Sequence, residues 1–214
     1  MAHPEQQVWC KYVKVLHPQF FKGVDVLDIG SLDINGNNRY LFEDYTYTGV
    51  DIGEGKNVDV VSKGHEFKPD KLYDVVISTE CFEHDKYWKE TIRNCIDLLK
   101  PGGLFLFSCA TTGRQEHGTS RTTPQDSPFT HKEFNDYYMN LTEYDIRQIQ
   151  GFDNSFTEMK FGTNKFTKDL YFYGIKNKTV VDAMRAEQLA YNIAMANISE
   201  ELLQELNKKN NDIR

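Results

Sequence analysis

The chain has 214 residues, 39% hydrophobic and 27% charged, which suits one well-buried globular domain with room for a helical appendage. A formal net charge of −7 disfavours nonspecific attraction to nucleic acid. No apolar run approaches the roughly 20 residues that span a bilayer, and the start Met1-Ala2-His3-Pro4-Glu5 lacks the basic-then-apolar pattern of a secretory signal.

Val8, Tyr12, Val15 and Leu16 recur at near-helical spacing and predict a short helix over 5–17. Residues 24–29, Val-Asp-Val-Leu-Asp-Ile, read as a buried strand ending at Gly30. The turn-rich Asn35-Gly36-Asn37-Asn38 delays any following helix to about 38–43. A second strand is predicted at 47–52 and a third at 58–61. The link between them is shorter than the dozen or more residues a parallel crossover normally takes, so its helix must be missing or reduced to a turn.

A fourth strand at 74–78 precedes an amphipathic helix over 86–99, with Trp88, Ile92, Cys95, Ile96 and Leu99 on one face. Lys100-Pro101-Gly102-Gly103 then reads as the stop before a fifth strand at 104–108. The polar stretch 109–130 is too long for a simple connection, which marks it as functional. A helix or helical turns are expected at 131–139, with a second stretch near 142–148, then a hairpin of 156–161 and 170–175 around Gly162-Thr163-Asn164-Lys165. Met184, Leu189, Ile193 and Ile198 continue a helical pattern over 180–207. Cys10, Cys81, Cys95 and Cys109 are too scattered for a zinc knuckle or redox pair, so a reduced, cytoplasmic setting is expected.

The loop after the first strand bears on the ligand. A dinucleotide site wants Gly-x-Gly-x-x-Gly, but here Gly30 is followed by Ser31-Leu32-Asp33-Ile34-Asn35-Gly36. Asp28 and Asp33 would also set two carboxylates near a diphosphate, where like charges are costly. A cationic sulfonium ligand with an amino group meets no such objection.

Asp28-Ile29-Gly30 resembles the first motif of the class I S-adenosylmethionine-dependent methyltransferases. Asp51 matches that family's acidic residue at the end of strand two. Tyr73-Asp74-Val75-Val76-Ile77-Ser78 followed by Phe82-Glu83-His84 is similar to its strand-four motif and Leu-Glu-His, and Lys100-Pro101-Gly102-Gly103 to the turn before strand five. The resemblance implies an α/β fold: a Rossmann-like, three-layer α/β/α arrangement on a seven-stranded, mostly parallel sheet whose last strand is antiparallel. It implies one methyltransferase domain over 1–178, with 179–214 a C-terminal helical extension.

S-adenosylmethionine is the cofactor so implied. Asp28 and Gly30 flank its methionine part, Asp51 holds the ribose, Ile52 packs on the adenine, and Ser31 and Thr79 complete the set. Leu32 replaces a second glycine, and His65 stands in for an adenine-contacting acid that Ser62-Lys63-Gly64-His65 lacks.

Thr112-Gly113-Arg114-Gln115-Glu116-His117-Gly118-Thr119 resembles a Gly-Arg-Pro-Glu-His-Gly loop of small bacterial and phage methyltransferases. His117 is the first candidate for general base, with Glu116 and Glu80 beside it. The alternative is that Glu116 and His117 only hold the loop, and that His84 only shapes its turn. Tyr137 and Tyr138 fit an acceptor wall or a packed lid equally, and Cys81 and Cys109 are read as core fillers.

His84 and His117 lack the short spacing of a metal motif, so no metal is expected. The reaction expected is methyl transfer to a small soluble acceptor, sugar-like or another metabolite, with no membrane partner. A non-catalytic cofactor-binding regulator or partner subunit is the alternative. Nucleic acid is a poor acceptor, since strand four ends in Ser78-Thr79-Glu80-Cys81 rather than Asn-Pro-Pro-Tyr. The C-terminal helix leaves a homodimer open.

Overall fold

The computed structural model describes residues 4–178, so the helix expected at 180–207 lies outside the described residues. In chain order the elements are α1 (Pro4–Leu16), β1 (Asp25–Ile29), β2 (Thr46–Asp51), β3 (Val60–Val61), β4 (Tyr73–Thr79) and α2 (Trp88–Asp97). They continue with β5 (Leu99–Ala110), α3 (Thr130–Glu133), α4 (Glu143–Arg147), β6 (Phe156–Asn164) and β7 (Asp169–Lys176). The sheet has seven strands in the order β3-β2-β1-β4-β5-β7-β6, parallel from β3 to β5, with β7 antiparallel to both its neighbours.

Period-two alternation in the central strands feeds two cores. Val26, Val75, Ile77, Leu104 and Leu106 face one side, where Cys10 and Val13 of α1 pack. Leu27, Ile29, Val76, Phe105 and Phe107 face the other, against Trp88, Ile92, Cys95 and Ile96 of α2. Burial on both faces is why these strands read as near-continuous apolar runs. Helices thus lie on both faces of the sheet, as the resemblance implied.

Four expectations are corrected. Val8, Tyr12, Val15 and Leu16, whose spacing predicted α1, are exposed, and the helix meets the sheet through Gln6, Cys10 and Val13 instead. Lys100-Pro101-Gly102-Gly103 lies inside β5 rather than before it; Leu99 already pairs with Tyr73, and a register shift between Tyr73 and Val75 absorbs the irregular segment. The helix expected over 131–139 stops at Glu133, because Asn135 and Asp136 take φ of 53° and 57°. The hairpin turn falls after Asn164, whose Oδ1 accepts from the N–H groups of Phe166 and Thr167, so β6 runs through Gly162.

The helix delayed to 38–43 is only a 3₁₀ turn, Arg39–Leu41. Beside β2, at the edge of the sheet, β3 is two residues long and exposed, in keeping with its short link.

Candidate active site

The C-terminal ends of β1, β2 and β4 open onto one cleft, partly open to solvent, with about 650 Å³ of empty space when its open mouth is included. Gly30 turns the chain at φ +77°, and a Cβ there would fall 2.5 Å from the Cβ of Cys81, so the turns after β1 and β4 touch through the glycine. The N–H groups of Gly30 and Ser31 both donate to the Val50 carbonyl, and Leu32 N–H donates to Asp51 Oδ2 at 3.0 Å. The loop after β1 is therefore tied to the end of β2, with Asp51 at the junction. Burial holds the Asp51 carboxyl above its ordinary range.

Glu80 lines the same cleft from the end of β4. It follows β4 at φ +53°, a conformation a non-glycine residue adopts only when its surroundings impose it, and it is buried. Ser108 Oγ donates to Glu80 Oε1 at 3.5 Å, and Arg114 Nη2 lies 3.9 Å from Oε2. Arg114 also reaches Asp169 at 3.3 Å, which anchors the long loop to the start of β7.

That loop covers the cleft. Asp126, Ser127, Pro128 and Phe129 line it, with the Phe129 ring seated against Gly53 just beyond β2. Gly118, at φ +66°, brings the loop onto His84; a Cβ there would lie 2.7 Å from His84 Cε1. The His84 ring then meets those of His117 and Tyr138 at centroid distances of 4.9 and 5.4 Å. Burial, then the charge of His117, drives the His84 imidazole well below its usual pKa, so it is neutral at physiological pH. Burial lowers His117 as well, and pushes the Glu83 carboxyl up to about 7.

Of the residues expected from sequence, Gly30, Asp51, Ile52 and Glu80 line the cleft together. Asp28, Ser31 and Thr79 do not. Asp28 Oδ2 accepts from Tyr47 Oη at 2.6 Å, and Asn38 Nδ2 donates to Thr79 Oγ1 at 3.2 Å. Burial raises the pKa of Asp28 to about 7, and its Oδ1 has no hydrogen-bond partner among the described residues.

His65 is not among the residues lining the cleft, its ring lying against Tyr87 at 4.3 Å, whereas Ser62 and Gly64 do line it. His117 stands beside His84, which does line the cleft. Glu116 faces outward, accepting from Thr119 Oγ1 at 2.6 Å and Arg121 Nε at 2.8 Å. Phe129, Phe134 and Asp85 line the cleft without having been singled out, and only the unusual length of the loop hinted at Phe129.

Residues 1–150 match the family described as Methyltransferase domain. Among solved structures, the N-methyltransferase NodS from Bradyrhizobium japonicum WM9, in complex with S-adenosylhomocysteine, superposes at TM-score 0.54 with 13% identity over 82% of this chain and 88% of that one. The 1,6-didemethyltoxoflavin-N1-methyltransferase of Burkholderia thailandensis superposes at 0.53 with 16% identity, covering 83% and 92%. Magnesium protoporphyrin IX methyltransferase from Synechocystis PCC 6803, with bound S-adenosylmethionine, superposes at 0.53 with 16% identity, covering 80% of each chain. The family match spans well over half the sequence and includes every strand end that builds the cleft: the chain belongs to the methyltransferase-domain family and carries the class I S-adenosylmethionine-dependent methyltransferase fold.

Proposed function

We propose that this chain transfers a methyl group from S-adenosylmethionine to a small-molecule acceptor, sugar-like or another metabolite. The observation that carries the reading is one cleft lined together by Gly30, Asp51 and Glu80 and by the long loop. The donor set fits the cofactor. Gly30 gives a cradle that a Cβ would fill, Asp51 offers acceptor oxygens at the end of β2 for ribose hydroxyls, and Ile52 gives the adenine an apolar neighbour. Gly64 and Ser62 replace His65 on the adenine side, while Asp28, Ser31 and Thr79 support the strand ends from behind. When bound, S-adenosylmethionine supplies an electrophilic methyl on a sulfonium that is already a good leaving group.

What remains for the protein is to orient an acceptor, exclude water and hold a proton. Glu80 is the carboxylate set in the cleft wall to accept a hydrogen bond from an acceptor hydroxyl or amine. His117 and Glu116 act through the loop: His117 against His84, and Glu116 through Arg121. Small-molecule acceptors also appear among the neighbours, one of them a phosphoethanolamine N-methyltransferase from Haemonchus contortus in complex with phosphomonomethylethanolamine.

Calorimetric titration with S-adenosylhomocysteine is the direct test, with one-to-one binding expected and no binding sufficient to reject the reading. Glu80→Gln should keep that binding within about threefold while turnover of any acceptor found by screening falls by about 10²-fold or more. A Glu80→Gln chain with full turnover would remove Glu80 from the proposal.

A further inference from the structure

Glu83, His84 and His117 each offer one donor atom, and the three atoms lie within 4.8 Å of one another. Two come from the turn after β4 and the third from the loop after β5. Each has capacity the fold leaves unused. Glu83 Oε1 accepts from Ala110 N–H at 3.2 Å, whereas its Oε2 is buried with no hydrogen-bond partner among the described residues. His84 is 6% exposed, and its Nδ1 is likewise without a partner. His117 Nδ1 faces the Gln115 carbonyl at 3.1 Å. A carbonyl accepts only from N–H, so that contact puts the proton on Nδ1 and leaves the lone pair on the other nitrogen.

An imidazole oriented by a backbone carbonyl is the usual arrangement of a metal-ligating histidine. Ordinary Glu–His hydrogen bonding would use up the same atoms, yet the buried Oε2 of Glu83 and Nδ1 of His84 remain unbonded. From this placement we propose that Glu83, His84 and His117 bind one divalent transition-metal ion, zinc foremost. Two imidazoles and a carboxylate form a donor set suited to zinc and leave a coordination position for water or an acceptor oxygen. Magnesium and calcium prefer all-oxygen sites and are poor fits.

Ligands of a tetrahedral ion with bonds of about 2.0 Å stand about 3.3 Å apart. From a spread of up to 4.8 Å the cluster must therefore contract by about 1.5 Å. That movement falls to His117, the ligand carried by a separate segment, the loop after β5. Sequence spacing concealed the cluster because its third member lies on a separate segment.

The binding step does not rest on the methyl-transfer reading. Where both hold, His84 lines the cleft and sets the ion in its wall, and an acceptor hydroxyl on the open position would have its pKa lowered.

The test uses the full chain, stripped with a chelator and titrated with Co²⁺ and then Zn²⁺. One equivalent of Co²⁺ should give the visible d–d absorption of a four- or five-coordinate site, bleached by one equivalent of Zn²⁺. Glu83→Gln and His117→Ala should each abolish the band and weaken zinc binding by more than about 100-fold, beyond the usual loss of an outer partner. The exposed Glu66→Gln should change neither.

Zinc should also raise the melting temperature of the parent and not of the two variants. Because His117 lies in a loop, His117→Ala should melt like the metal-free parent, so a folding failure at Glu83 leaves the test intact. No tightly bound equivalent, or full zinc affinity in His117→Ala, overturns the site. S-adenosylhomocysteine titrations of the same samples report on the cofactor cleft separately.

Discussion

At Gly30 two independent constraints fall on one atom. The residue holds φ +77°, and the space a side chain would need is occupied by Cys81. Gly30→Ala therefore combines a left-handed backbone penalty of about 1 kcal/mol or more with a clash against the turn after β4. We expect S-adenosylhomocysteine affinity to fall by at least about tenfold, with a lower melting temperature. Adding Cys81→Gly should return part of the affinity but none of the φ penalty. If the double variant binds no better than Gly30→Ala, the contact with Cys81 is not what the glycine protects.

The same residue shows why part of the site was legible and part was not. A glycine after a buried strand marks a turn in the sequence itself, and an acid at the next strand's end, Asp51, shares its edge by topology. His65 lies in the turn beyond β3, its ring against that of Tyr87, a contact no local pattern announces. Glu116 and His117 were found as neighbours in a polar run, and only the fold shows one turned to Arg121 and the other to His84.

Strand order is carried by elements whose apolar runs are long, and those were readable one by one. The boundaries moved where a local conformation overrode the pattern, as with Asn135 and Asp136 ending α3 and the irregular Lys100–Gly103 segment joining β5. A further long-range tie was invisible in the sequence. Lys176, at the end of β7 and 8% exposed, donates from Nζ to the carbonyls of Ile96 at 2.6 Å and Leu99 at 2.8 Å. A cation at the C-terminal end of α2 satisfies acceptors the helix cannot and complements its dipole. Lys176→Met should leave those carbonyls without that donor and destabilise the domain by about 1–3 kcal/mol in urea unfolding. S-adenosylhomocysteine affinity per folded molecule should be unchanged, since Lys176 does not line the cleft. A loss under about 0.5 kcal/mol would show that other donors take over.

Across the whole molecule, carboxylates gather at the C-terminal ends of neighbouring interior strands of the sheet. Asp28, Asp51, Glu83 and Asp85 all lie at or just past the ends of β1, β2 and β4, and burial raises the pKa of each. For an acid with a raised folded pKa, the folded state holds a proton that the unfolded chain has released, so stability falls as pH rises between the two values. For Asp28 that window runs from the unfolded value of about 3.9 to about 7 in the fold. The loss is complete above it and amounts to a few kcal/mol at most.

Asp28→Asn keeps an oxygen for the Tyr47 hydroxyl and removes the charge. Urea unfolding without cofactor should find parent and variant closest at about pH 4, with the variant gaining steadily from there to about pH 7 and levelling off above it. Because Glu83 and the other acids titrate in both proteins, only the difference between the two curves reports on Asp28. A difference that stays flat with pH would place the ionisation of Asp28 outside this window, whereas one that rises makes the strand-end carboxylate a standing cost of the fold at neutral pH.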